Sequence, residues 1–116
     1  NSFGGLTLTR AAGSTVTMRN ASAPTSGLNL TVNGAAVGMN IPGEVILTGT
    51  APISLTGTGG AALGLGSFVL AVGQTTPLSL TTTGGGVINT SGSIQAGTLT
   101  LNSSAGATIG GAVLTT

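Results

Sequence analysis

A four-residue pattern returns five times along this chain: at residues 6–9 (LTLT), 28–31 (LNLT), 53–56 (ISLT), 78–81 (LSLT) and 99–102 (LTLN). Successive copies start 22, 25, 25 and 21 residues apart. Each copy alternates an apolar residue with a hydroxyl or amide, the period-2 mark of a strand with one buried face. A second apolar residue follows each anchor by nine or ten positions, at Val16, Val37, Leu63, Val87 and Ile109. A third falls 14 to 17 positions beyond the anchor, at Val45, Val69, Ile94 and Val113. The first copy lacks this third mark, and its residues 24–27 (PTSG) read as loop. Gly-rich stretches at 57–60 and 84–86 read as turns between the strands.

A unit of 21–25 residues holding two or three short strands matches one coil of a β-solenoid, a parallel β-helix. Five such coils would make residues 1–116 a single repetitive all-β domain. Each strand would stack on its equivalent in the next coil at about 4.8 Å, with apolar residues in rows inside and Thr, Ser and Asn in rows outside. One coil cannot bury its own apolar face, so neighbouring coils are required. Regular short strands also describe a β-sandwich. In that alternative, strands would be exchanged between subunits.

Composition narrows function more than fold. Gly, Thr and Ser supply 54 of the 116 residues, and these are poor helix formers. The only charged residues are Arg10, Arg19 and Glu44, and there is no His, Cys, Lys, Asp, Tyr or Trp. Acid–base and nucleophilic catalysis need a titratable partner beside the reacting group, and Glu44 has none in the sequence. A zinc site needs Cys or His, and a calcium site needs several carboxylates. The expectation is therefore no enzyme, no metal and no cofactor. Two Arg and two Phe are also too few for the phosphate contacts and base stacking of a nucleic-acid partner. The Gly spacing within residues 57–66 lacks the strand–turn–helix setting of a dinucleotide site. The longest apolar run, residues 61–73, is shorter than the roughly 20 residues a helical membrane span needs. The chain starts without Met and without a basic-then-apolar leader, as a processed or excerpted chain does.

Residues 86–102 (GVINTSGSIQAGTLTLN), with ISLTGTGGAALGLG and SSAGATIGG, resemble the repeats of filamentous haemagglutinin-type adhesins. The likeness is clearest over residues 53–111. It implies a right-handed parallel β-helix on an exported bacterial surface protein. The expected location is thus extracellular, on a bacterial or archaeal cell surface.

Three sets of residues are candidates for function. The outward members of the anchor strands form paired rows: Thr7 and Thr9, Asn29 and Thr31, Ser54 and Thr56, Ser79 and Thr81, Thr100 and Asn102. A regular T-x-T face resembles the ice-binding surface of solenoid antifreeze proteins, though Thr also favours exposed strand positions in general. Asn20, Asn29, Asn89 and Asn102 each head an N-x-S/T sequon, open to glycosylation in a secreted chain. The third set is the two ends. A solenoid leaves unpaired N–H and C=O groups at both edges unless they are capped. Leu6, Thr7, Leu8 and Thr9 at one end, and Val113 and Leu114 at the other, have no charged cap, and no charge occurs anywhere in residues 45–116. Such edges pair with a further copy of themselves, giving a homopolymer. The expected function is a self-assembling surface filament held by β-strand pairing between subunits. An adhesin stalk or passenger segment that meets a host or matrix surface is the alternative, and an ice-binding solenoid a further one.

Overall fold

The computed structural model describes residues 2–3, 5–7, 16–18, 28–34 and 38–115, the first three stretches as backbone. Thirteen strands and no helix are found among them: β1 (Ser2–Phe3), β2 (Gly5–Thr7), β3 (Val16–Met18), β4 (Leu28–Asn33), β5 (Gly38–Leu47), β6 (Ile53–Thr58), β7 (Leu63–Leu70), β8 (Pro77–Thr82), β9 (Ile88–Thr90), β10 (Ile94–Ala96), β11 (Thr98–Ser103), β12 (Ala107–Ile109) and β13 (Val113–Thr115). The chain winds as a β-solenoid. Three turns, from residue 28 to residue 98, are stacked on both sides, and a further layer of strands closes each end. Every pairing is parallel and joins one turn to the next. The strands of a sandwich pair antiparallel, so the sandwich alternative is excluded.

The first face is a sheet of five strands in the order β1-β4-β6-β8-β11. Its registers put Leu28, Ile53, Leu78 and Leu99 in one column. Four of the five sequence anchors therefore stack as expected. Leu30, Leu55, Leu80 and Leu101 form a parallel column two residues on.

The second sheet bends into two panels, here the second and third faces. β5 runs through both, with a register shift between Ile41 and Glu44 where Pro42 and Gly43 turn the chain. Gly66 of β7 lies against this bend. A Cβ there would fall 2.3 Å from the Gly43 carbonyl oxygen and 2.4 Å from that of Pro42, so the close approach requires glycine. In the next turn the same edge opens completely, and the single strand becomes β9 and β10.

These two faces correct several sequence expectations. The second face aligns Leu6, Met39, Leu63, Ile88 and Ala107. Leu6 is thus not an anchor of the first face but a member of the second column. Val87 gives way to its neighbour Ile88, which is buried while Val87 is exposed. Ile109 lies one pleat beyond Ala107, and Val37 falls outside the described residues. The third face aligns Val16, Val45, Phe68, Ile94 and Val113. Val16 therefore supplies the third mark that the first copy lacks by spacing alone, and Phe68 replaces Val69. A strand has period 2, so a one-residue slip moves the side chain from core to surface. Adjacent apolar residues at 68–69 and 87–88 conceal such a slip.

The core fills the space between the faces. Leu55, Leu63, Phe68, Leu80, Ile88 and Ile94 are fully buried. Each contributes about 1.5–3 kcal/mol by leaving water. Polar groups reach this interior only with partners. The buried Thr82 hydroxyl donates to the Gly86 carbonyl at 2.8 Å, and that of Thr76 donates to the Gly49 carbonyl. Among the described residues no buried side-chain polar atom is left without a hydrogen bond.

Candidate functional site

The outward side of the first face carries two polar columns. Asn29, Ser54, Ser79 and Thr100 form one; Thr31, Thr56, Thr81 and Asn102 form the other. A third begins beside them, where the Thr58 hydroxyl donates to Asn33 Oδ1 at 3.1 Å. Thr7 does not join this face. It stands in register with Asn40 on the second face, because its strand belongs to that panel. Thr9 lies outside the described residues. Each of the four remaining pairs mixes Thr with Asn or Ser; the T-x-T pairs on these strands are instead Thr56 with Thr58 on β6 and Thr98 with Thr100 on β11.

The sequon asparagines separate onto two faces. Asn29 and Asn102 belong to the first face. Asn89 is exposed on the second, in the column Asn40, Gly64, Asn89, Thr108. Asn20 lies outside the described residues.

The two ends present the most distinctive surface. Among the described residues β11, β12 and β13 pair with β8, β9 and β10 alone. Their inward side chains continue the core columns of those strands. Leu101 is 38% exposed where Leu80, one turn earlier, is 0% exposed. Val113 is 44% exposed where Ile94 is 0% exposed. Leu114 is exposed on the outer side of the same edge strand. At the opposite end β1, β2 and β3 pair, among the described residues, with β4 and β5 alone. Leu6 and Thr7 lie in this edge; Leu8 and Thr9 are outside the described residues. β1 meets only Thr31 and Val32 of β4, and Leu28 and Leu30 remain half-buried there.

The chemistry this end offers is that of a sheet edge: backbone donors and acceptors in strand spacing, flanked by apolar side chains. Glu44, the one carboxylate side chain, stands beside Ser67 on the third face, on β5, the strand that β3 pairs with. Among the described residues no three His, Cys, Asp or Glu side chains gather as a metal site. Among the described residues no helix is long and apolar enough to cross a membrane, which says nothing of strands.

Sequence reasoning missed a further feature of the outer surface. Val72 is wholly exposed, on the loop between β7 and β8, which lines a cavity together with Leu70 and Leu114. Its position inside the apolar run 61–73 concealed it, since that run reads as continuous core. No known family model matches the chain, and neither does any curated protein or solved structure.

Proposed function

We propose that this chain is an extracellular structural protein, a subunit or segment of a surface filament that grows by adding solenoid layers end to end. The observation that carries the reading is the exposure of core columns at the β11–β13 end, where Leu101 and Val113 are exposed although their equivalents one turn earlier are fully buried. Edge strands attract further strands unless charge, proline or a covering element blocks them. Residues 45–116 hold no charge to do so.

In a head-to-tail contact, β1, β2 and β3 of the next copy continue the three faces. Extending the columns places Val16 of the added copy against Val113, Leu6 against Ala107, and Phe3 against Ser103. The contact is heterologous and does not close on itself, so growth is open-ended. Work is done here by backbone hydrogen bonds and dry apolar rows, which suits a material. The test is electron microscopy across a concentration series of the chain and of Val113→Lys. Filaments from the first and their loss in the second are expected. Discrete monomers at every concentration would refute the filament and favour the adhesin-stalk reading, in which one coil stack serves as a spacer.

A further inference from the structure

At the corner after the first face, successive turns place a polar residue before a glycine: Asn33-Gly34, Thr58-Gly59 and Thr83-Gly84. Only the first of these polar residues is an amide. Of the seven asparagines in the chain, Asn33 alone is followed by glycine. That order carries a chemistry of its own. The backbone nitrogen of residue 34 can attack the side-chain amide carbon of residue 33, and glycine has no Cβ to obstruct the approach. Asparagine ranks among the thermolabile residues. Asn33 is exposed, so water reaches the site.

The stacked coil ties up both reacting groups. β4 ends at Asn33, in register with Thr58 of β6. The Gly34 N–H donates to the Thr58 carbonyl at 3.0 Å, so the attacking nitrogen is committed to the next turn. The Thr58 hydroxyl donates to Asn33 Oδ1 at 3.1 Å, which commits the side-chain amide to the same turn. The amide is also packed against the following corner, since a Cβ on Gly59 would lie 2.8 Å from Asn33 Oδ1. One residue of the neighbouring turn thus holds the nucleophile through its carbonyl and the electrophile through its hydroxyl.

We infer that Asn33-Gly34 is a self-modification site, kept latent by its contacts with Thr58 and reactive when this corner opens. On opening, the Gly34 nitrogen bonds to Asn33 Cγ while water carries its proton to Nδ2. The Cγ–Nδ2 bond breaks, ammonia leaves, and a five-membered imide remains. A water molecule then opens the imide at either carbonyl, giving aspartate or isoaspartate at position 33. Water is the only co-reactant, and nothing is oxidised or reduced. The product places a carboxylate beside Thr58, in a chain whose one other carboxylate side chain is Glu44. The isoaspartate form also lengthens the main chain by one carbon between β4 and the corner, which breaks the pairing of Gly34 with Thr58. The corner cannot close again as before, so the change records that the two turns once parted. This goes beyond end-to-end growth, since it concerns contact between turns within one chain.

Mass spectrometry during incubation at mildly alkaline pH tests this, with the full chain folded and in denaturant. The readout is the mass gain of an amide replaced by an acid, placed on the sequence by fragmentation. In denaturant, Asn33 is expected to convert before the other six asparagines. There Gly34→Ala is expected to slow its conversion by about tenfold or more, through the added Cβ. Gly34 has a φ of 109°, which alanine rarely adopts, so this variant is measured unfolded. In the folded chain, conversion at Asn33 is expected to be slower than in denaturant by about tenfold or more, because it waits on local opening. Thr58→Val removes the hydroxyl and keeps the shape of the side chain. Its folded form is expected to convert several-fold faster than the parent, and Thr58→Ser, which restores a hydroxyl, to return to the parent rate. Circular dichroism identifies the folded samples. Where Thr58→Val does not fold, the folded and denatured rates of the parent decide alone. Another asparagine leading in denaturant overturns the site. Equal folded and denatured rates at Asn33 overturn its protection by the coil, and so does a folded Thr58→Val chain that converts at the parent rate.

Discussion

Gly64 and Gly66 sit two residues apart on β7, yet the structure asks different things of them. A Cβ on Gly64 would meet the Met39 carbonyl oxygen at 3.5 Å, an ordinary contact, whereas on Gly66 it would strike two carbonyl oxygens. Gly66→Ala is accordingly expected to destabilise by about 1–3 kcal/mol or more through forced backbone shifts. Gly64→Ala is expected to leave stability unchanged or raise it by up to about 1 kcal/mol, since it restricts the unfolded chain. Denaturant unfolding of the two variants makes the comparison. The same measurement applies to Phe68 and Val69. Phe68→Ala is expected to cost about 3–5 kcal/mol and Val69→Ala well under half of that, because only Phe68 faces the core. The alternation of the first face was readable residue by residue, since 53–56 and 78–81 contain one polar residue between each apolar pair. Positions 68–69 and 87–88 were not readable, because two adjacent apolar residues fit either phase of a pleat.

At the scale of elements, the tetrapeptide rhythm located the first face because its strands are of equal length and similar sequence. It mislocated Leu6 and Thr7 for a reason of spacing. Leu6 and Val16 are ten residues apart on the second and third faces, the same separation as Ile53 and Leu63 on the first and second. Alternation alone says that a strand has one buried face, and not which wall of the coil it belongs to. The corners were legible as Gly-rich turns, but their unequal lengths have consequences only once stacked. Gln74→Ala removes the bond that fastens the 71–76 loop to Gly49. The expected cost is about 1 kcal/mol, and hydrogen exchange at the Gly49 amide should quicken. An unchanged exchange rate there would contradict the view that this side chain holds the loop against Gly49.

On the scale of the whole molecule, a solenoid is a stack whose interior turns satisfy one another and whose end turns do not. The contrast between Leu80 and Leu101 measures that difference within a single column. It follows that Val113→Lys should suppress assembly while leaving the Tm of the dissociated chain within about 0.5 kcal/mol equivalent of the parent, because the substituted side chain is already partly in water. In the sequence the missing charges point to the two ends, whereas the unequal corners, six residues at 71–76 and the single Gly97, are visible only once the turns are aligned. The measurement that bears most directly on end-to-end growth is fibre diffraction from aligned assemblies. Five layers per subunit should give a strong meridional spacing of about 4.8 Å together with a subunit repeat of about 24 Å along the same axis. Assemblies whose 4.8 Å spacing lies off the fibre axis, or whose repeat is unrelated to five layers, would contradict coaxial stacking.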